Sequence, residues 1–274
     1  MGVLGMNRRL TALFVLFLAL LSTSVSAQTT LGMNAPRLFD QGMDNLMGIG
    51  VTSGDVNAID YFHRSADLGY APAQTMMGYF YESGLKVTAD PAAAADWYKK
   101  ATKQDDRLGD WLLGRLYYTG AIPRDLDAAE TYLKKAANQG DPYGQYLLGL
   151  VKLERNDYIN AAAMFRKAAM QGIPLAQQQL GNLLKDGKGV DADKMQAYVW
   201  LLVSYDAGNK AAGSDAAALE AALGTNQVTE GKRKARDLEQ IASRVVSAKG
   251  CTGWQGEFDA VPTPPTPEIQ RFCH

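Results

Sequence analysis

The residues that could support acid–base or metal chemistry are few. The chain has only two histidines in 274 residues, His63 and His274. His63 follows Phe62 in a helical pattern, which is typical of a partly exposed helix residue rather than a catalytic base. His274 lies beside Cys273, and a metal site there would need more ligands than its neighbours offer. We therefore predict neither a catalytic residue nor a metal site.

Motifs for phosphate binding and nucleophilic catalysis do not occur. Gly187-Lys188-Gly189 has no following Gly-Lys-Ser/Thr, and the glycine spacing of dinucleotide sites is missing. No serine lies in a Gly-x-Ser-x-Gly elbow. The 28 basic and 29 acidic residues give no electrostatic reason to bind nucleic acid. The sequence therefore predicts a protein that has no cofactor, is not an enzyme and does not bind nucleic acid.

Contact with a macromolecule is the chemistry that Trp111, Arg115 and Tyr118 suggest. Their spacings of four and three residues place them on one face of a helix. Tryptophan, tyrosine and arginine dominate protein-binding hot spots. These side chains can bind a partner together only if the fold presents them on one surface.

Two recurring markers indicate the elements that position these residues. Glycine recurs at intervals of 36, 36, 35 and 32 residues, at Gly42, Gly78, Gly114, Gly149 and Gly181. A bulky residue recurs in step, at Tyr61, Trp97, Tyr132, Met164 and Trp200. This period is typical of stacked helical hairpins. We therefore predict an all-α fold, a right-handed α-solenoid of about five helix-turn-helix repeats over residues 35–208.

The recurring glycine predicts how each hairpin closes. It falls inside the first helix of the repeat (helix A), and the bulky residue falls inside the second (helix B). Glycine within a helix costs about 1 kcal/mol relative to alanine, so close packing must compensate. We therefore expect Gly78, Gly114, Gly149 and Gly181 to lie where helices A and B cross.

The first 27 residues have the pattern of a signal peptide. Arg8 and Arg9 precede an apolar segment from Leu10 to Leu21, and small residues lead up to Ala27. Cleavage near Ala27 predicts a periplasmic or secreted protein with no transmembrane segment after cleavage. The alternative is an uncleaved membrane anchor.

Residues after the repeats predict a cap and a tail. Residues 209–248 contain two helical patterns, the second capped by Thr229, which would cover the open end of the stack. Residues 249–274 form a proline-rich extended tail. Cys251 and Cys273 are the only cysteines, and an exported protein most simply pairs them in a disulfide. Two free thiols and an intermolecular bond are the alternatives.

The repeated residues resemble the Sel-one-like repeat, a relative of the tetratricopeptide repeat. The likeness is closest from Ala176 to Gly208, where Leu180-Gly181, Gly187-Lys188-Gly189-Val190 and Trp200-Leu201 follow the family pattern. The resemblance implies an adaptor of the bacterial envelope that binds a protein partner. A cysteine-rich subgroup has been linked to β-lactamase activity, but its members carry a cysteine pair in each repeat and this chain carries none there.

In such solenoids the A helices line the concave face, so their variable positions are the candidate binding residues. Across repeats two to five these positions form an aromatic and arginine-rich stripe: Trp111, Arg115, Tyr118, Tyr79, Glu82, Tyr146 and Gln178. The alternative is that these side chains only pack between neighbouring A helices. A polysaccharide or peptidoglycan ligand stacked on the same stripe, and a β-lactamase-like hydrolase, are the alternative functions.

Overall fold

The computed structural model describes residues 34–46 and 58–249, with side chains through Leu238. Over these residues the chain forms twelve helices and no strand. They are α1 (34–46), α2 (Ala58–Asp67), α3 (Ala71–Ser83), α4 (Pro91–Thr102), α5 (Arg107–Thr119), α6 (Leu126–Asn138), α7 (Pro142–Glu154), α8 (Tyr158–Met170), α9 (Pro174–Asp186), α10 (Lys194–Asp206), α11 (Ala212–Ala222) and α12 (Thr225–Lys249). The predicted fold class, an all-α solenoid of helix-turn-helix repeats, is confirmed.

The chain divides into two units, Met1–Asp90 and Pro91–His274, so the boundary falls between α3 and α4. The predicted signal peptide lies outside the described residues, as do Cys251 and Cys273 of the predicted tail. None of the described helices is both long enough and apolar enough to cross a bilayer.

The first unit is a hairpin of α1 and α2 followed by α3. Phe39 of α1 and Phe62 of α2 meet edge to face, with ring centroids 5.4 Å apart. Phe62 also lies 5.5 Å from Phe80 of α3. The hydroxyl of Ser65 donates a 2.6 Å hydrogen bond to the carbonyl of Ala35. Helix α1 therefore packs as the A helix of the first repeat.

Most helices of the second unit begin at an aspartate N-cap, and two of them end at a glycine C-cap. An aspartate side chain accepts a backbone N–H at the start of α5, α6, α7, α8 and α10, as when Asp141 accepts from the amide of Gly144 at 2.7 Å. Gly120 and Gly187 follow α5 and α9 with left-handed φ angles of 78° and 67°. Helices α5 to α10 each contain 13 residues.

The recurring glycines lie at the helix crossings, as predicted for Gly114, Gly149 and Gly181. A Cβ atom added to Gly114 would lie 2.6 Å from Cγ of Leu133, and one on Gly149 would lie 2.6 Å from Cε1 of Phe165. At Gly181 the nearest atom, in Leu201, would be 2.9 Å away. The residue that faces each glycine is the one directly after the recurring bulky residue of the B helix. It is fully buried, while Tyr132 and Met164 are only half-buried.

Buried glutamine amides link three A helices to the B helix before them: α3 to α2, α7 to α6 and α9 to α8. Four residues before the recurring glycine, Gln74, Gln145 and Gln177 each donate to the carbonyl of an alanine that ends the preceding B helix, at 3.2, 3.4 and 3.2 Å. We call these bonds the amide ladder. The acceptors are main-chain oxygens at a helix end, and each also accepts a backbone N–H from the glycine three residues later, so the glutamine supplies a second hydrogen bond.

Helices α11 and α12 follow the last repeat and cover α10. Val199 and Val203 of α10 pack against Ala235 of α12. The hydroxyl of Tyr198 donates to Oε2 of Glu220 at 2.6 Å, which joins α10 to α11. The prediction that Thr229 caps the last helix is wrong, because α12 begins at Thr225 and the Thr229 hydroxyl donates back to the Thr225 carbonyl at 3.0 Å.

Candidate functional site

Trp111 and Arg115 lie on α5 and face the next A helix, α7. The Trp111 ring stacks on Tyr143 of α7, with centroids 5.3 Å apart and an interplanar angle of 24°. The Arg115 guanidinium lies 5.6 Å from the centroid of the same indole. Both predicted residues are half-buried. The structure therefore brings them together in a cluster held between two A helices.

Tyr118 belongs to a polar network one turn further along α5. Arg124 places its guanidinium 5.8 Å from the Tyr118 ring and bonds Glu154 through Nη2 at 2.5 Å. Burial first, and then a hydrogen bond to Glu154, raise the pKa of Tyr118 to about 12. Burial would raise the pKa of Glu154, but hydrogen bonds from Tyr118 and Arg124 lower it. Tyr118 is thus a neutral donor to an ionised carboxylate.

Tyr146 and Gln178 occupy the position of Trp111 in the next two A helices. Tyr146 is half-buried and its ring centroid lies 6.1 Å from that of Phe165 in α8. Burial raises the pKa of the Tyr146 hydroxyl. Gln178 accepts a 2.9 Å hydrogen bond from the side-chain amide of Asn209, just beyond α10. Both side chains are therefore partly exposed and in contact with a neighbouring residue.

Tyr79 and Glu82 lie on α3, in the first unit. The Tyr79 ring centroid is 6.3 Å from that of Phe80, and both predicted residues are half-buried. In the second unit, the half-buried and mutually supported residues Trp111, Arg115, Tyr118, Tyr143 and Tyr146 form what we call the A-helix face.

Two buried carboxyl groups escaped the sequence reasoning. Asp110 is 0% exposed and Asp141 is 3% exposed. Burial is the main cause that raises the pKa of Asp110 to about 7. Burial also raises the pKa of Asp141 to about 6, against the opposing effects of the Gly144 amide and Arg107. Raised carboxyl pKa values are common in active sites, but both of these groups are buried in the fold.

Asp110 replaces a member of the amide ladder. It lies four residues before Gly114, where the other A helices carry Gln74, Gln145 and Gln177. Its Oδ2 accepts a 3.3 Å bond from Gln139, while its Oδ1 is buried with no hydrogen-bond partner among the described residues. An ionised carboxylate cannot donate to a carbonyl as glutamine does. Aligning the A helices on their glycines would have shown this exception in the sequence.

The part of the chain that the structure describes contains one histidine, His63, and no candidate metal site. No group of three or more histidine, cysteine or carboxylate side chains in that part of the chain is placed to hold a metal ion. His63 lies with Nδ1 2.9 Å from Oδ2 of Asp67, one helical turn away and half-exposed. This arrangement is an ordinary pair on a helix surface.

Solved structures with related folds are helical repeat proteins. A Sel1 repeat protein from Oxalobacter formigenes is 25% identical with a TM-score of 0.59, over 64% of this chain and 74% of that one. A protective antigen of uropathogenic Escherichia coli with an SLR fold is 25% identical with a TM-score of 0.52. That match covers 81% of this chain and 56% of the antigen.

A curated relative is named chitin synthase regulatory factor 3, from Schizosaccharomyces pombe. It is 31% identical over 157 residues, which is 56% of this chain. The chain spans only 13% of that protein's length.

The family model described as the Sel1 repeat matches this chain in five consecutive segments. They are residues 45–70, 71–106, 108–141, 142–173 and 174–209. The last three segments each contain one A helix and one B helix: α5 and α6, α7 and α8, and α9 and α10. Since these segments cover more than half of the sequence and follow the helical hairpins of the structure, the chain belongs to the Sel1 repeat family.

Proposed function

We propose that this protein is an adaptor that binds a protein partner across the A-helix face. Sel1 repeats form scaffolds suited to protein–protein interaction. The name of the fission-yeast relative describes a regulatory factor, which agrees with an adaptor role although only a small part of that protein is matched. A scaffold without chemistry of its own acts by holding a partner in place.

The observation that carries the proposal is the mutual support of the A-helix residues. Trp111 is stacked on Tyr143 and contacted by Arg115, while Tyr118 is held by Arg124 and Glu154. Side chains already fixed by neighbours lose little rotamer freedom when a partner binds, so more of the contact energy becomes affinity. Aromatic and arginine side chains are also those that anchor protein interfaces.

A crosslinking capture with the full chain tests the proposal. The wild type is compared with a Trp111→Ala, Arg115→Ala variant and with Lys134→Ala, which changes an exposed lysine on α6. We expect a partner that the wild type and Lys134→Ala capture equally and that the double variant loses. Thermal unfolding shows whether the double variant remains folded. A folded double variant that captures the same proteins would refute the A-helix face as the binding site.

Stacking of a sugar on Trp111 is disfavoured by the same geometry. The Tyr143 ring already lies against the indole, with ring centroids 5.3 Å apart. The Arg115 guanidinium also contacts it, 5.6 Å from the centroid of the indole ring. The A-helix face therefore supports a protein partner over a polysaccharide or peptidoglycan, and no described group supports a β-lactamase-like hydrolase.

The proposed location of the adaptor is the periplasm or the cell exterior. This rests on the charged and apolar pattern that ends near Ala27. Cell fractionation followed by N-terminal sequencing of the mature protein tests it. A mature chain that begins near Gln28 in the envelope or medium supports export, and an intact N-terminus in the cytoplasm refutes it.

A further inference from the structure

The outward face of α8 carries a groove that the adaptor proposal does not use. The groove has a volume of about 500 Å3. Six lining residues come from α8 and one from the loop before α10: Ile159, Ala162, Ala163, Arg166, Lys167, Met170 and Val190. Ala162 and Ala163 make a floor of small side chains with larger apolar groups at either end. We call this site the α8 groove.

The apolar ends of the α8 groove are open to solvent. Ile159 is 72% exposed and Met170 is 43% exposed. Large hydrophobic side chains grouped around a concavity, with polar residues beside them, mark interaction sites more often than isolated ones do. The groove therefore offers two anchoring points for apolar side chains of a partner.

Positive charge in the α8 groove is not neutralised within the described residues. Arg166 and Lys167 are exposed and form no ion pair there, and α8 itself contains no acidic residue. The preceding B helix is different. On α6, Glu130 pairs with Lys152 at 2.6 Å, and Asp127 pairs with Arg155. Within the described residues, the α8 groove therefore presents two cations without an ion-pair partner, whereas both acidic residues of α6 are paired.

One wall of the α8 groove is fixed by close backbone packing. A Cβ atom on Gly189 would lie 2.3 Å from the carbonyl carbon of Tyr158, so only glycine allows this approach. The φ angle of Gly189 is 70°, which also favours glycine. This contact seats the loop that carries Val190 against the start of α8. The concavity is thus a preformed part of the fold.

The neighbouring B helix shows how such a face is covered. The outward side of α10 is packed by α12 through Val199, Val203 and Ala235. Among the described residues no helix packs on the α8 groove in the same way. By analogy with α12 on α10, a peptide segment with apolar side chains could cover the α8 groove.

We propose that the α8 groove is a second docking site, which binds an acidic peptide segment of a partner through apolar anchors and carboxylates. The apolar anchors contact Ile159 and Met170, and the carboxylates pair with Arg166 and Lys167. Charge complementarity of this kind speeds association and selects partners. The site is a concavity of about 500 Å3 rather than a flat surface, which suits an inserted peptide better than a lipid bilayer.

Binding of two synthetic peptides to the full chain tests the proposal. The first alternates Asp and Glu with Leu and Phe, and the second replaces each acid by its amide. We expect the acidic peptide to bind at least about tenfold more tightly, with an affinity that falls as salt is raised. An Arg166→Glu, Lys167→Glu variant should lose at least about tenfold in affinity for the acidic peptide.

Matched variants separate this site from general charge and from the A-helix face. Lys103→Glu, Lys134→Glu makes the same charge change at two exposed lysines that form no described ion pair, and it should bind like the wild type. Trp111→Ala should also bind the acidic peptide normally, so failure of the adaptor proposal leaves this test intact. Ile159→Ser should weaken binding of the acidic peptide.

Three results would overturn the proposal. They are equal affinity for the acidic and amide peptides, unchanged binding by a folded Arg166→Glu, Lys167→Glu variant, and no binding of either peptide up to about 1 mM. Vesicles of phosphatidylglycerol and phosphatidylcholine form the last arm. Vesicle binding that requires Arg166 and Lys167, with no peptide binding, would assign the groove to lipid instead.

Discussion

Repeats three and four share one backbone geometry but use it differently. In α5–α6 and in α7–α8 a glycine meets the opposing helix so closely that an added Cβ would lie 2.6 Å from a side chain. At the ladder position the third repeat carries Asp110, which has a buried oxygen without a partner. The fourth carries Gln145, which donates to Ala137 and accepts from Gln171.

The outward faces of the two B helices differ as well. The acids of α6 are paired with basic residues, while the basic residues of α8 are unpaired within the described part and lie beside exposed Ile159 and Met170. The comparison teaches that the helix crossing sets the hairpin and leaves the ladder and outward positions free to vary. Individual repeats acquire distinct properties there.

The largest expected effect tests the feature that both repeats share. Leucine in place of Gly114 should lower the free energy of unfolding by about 3 kcal/mol or more, because its side chain would overlap Leu133. Gly149→Leu should cost less than Gly114→Leu. The close atoms around Gly149 belong to the Phe165 ring, while those around Gly114 include the backbone nitrogen of Leu133 at 3.1 Å. Urea unfolding followed by circular dichroism measures both, and a reversed order would contradict this reasoning.

An intermediate effect is expected at the ladder position, where the repeats differ. The folded-state pKa of Asp110, about 7, lies above its ordinary value, so the folded state favours the protonated form. Its contribution to stability is therefore complete below about pH 4 and is lost as pH rises to about 7. The loss should be roughly 2 kcal/mol or more. Asp110→Asn should be more stable than the wild type at pH 8 and should flatten this dependence.

A matched variant introduces a buried carboxyl group at the ladder position of the fourth repeat. Gln145→Glu places a carboxyl at a residue that is 5% exposed and removes the donor to Ala137. Its stability should fall more steeply with rising pH than that of the wild type. Asp141, whose raised pKa of about 6 acts in the same direction, remains in both variants as a common background. Equal pH profiles for wild type, Asp110→Asn and Gln145→Glu would refute the account.

The smallest effect concerns Trp111. Its indole nitrogen is buried without a hydrogen-bond partner among the described residues. Trp111→Phe keeps an aromatic ring beside Tyr143 and removes that unpaired donor, so the free energy of unfolding should change by less than about 1 kcal/mol. Tyr146→Phe, at the corresponding position of the fourth repeat, is the control. A loss above about 3 kcal/mol for Trp111→Phe would show that the indole is needed for packing.

Much of the fold could be predicted because periodic residues report the helix crossings directly. Gly114 and Gly149 recur because no larger residue fits beside the opposing helix. The bulky residue of each period was less exact as a guide. Tyr132 is conspicuous by type but half-buried, whereas the less conspicuous Leu133 is fully buried against the glycine. Large aromatic residues often lie at the edge of a core because they carry a polar group.

The candidate sites were less accessible from the sequence. The residue types of Trp111, Arg115 and Tyr118 indicated the A-helix face, but their partners Tyr143 and Glu154 depend on the stacking of separate hairpins. The α8 groove had a sequence signal, since α8 contains Arg166 and Lys167 and no acid. Whether another element covers that face depends on tertiary packing, which no local pattern records.

The amide ladder has a consequence for how such chains change length. Its donors meet main-chain carbonyls, which every residue type supplies, so a hairpin with glutamine four residues before its glycine joins its neighbour without matched side chains. After gene duplication or deletion of one such hairpin, the glutamine can still donate to a main-chain carbonyl of its new neighbour. The Asp110 joint is the exception, since it relies on Gln139 as a particular neighbour. Recombination between repeats should therefore be tolerated at the glutamine joints and selected against at this one.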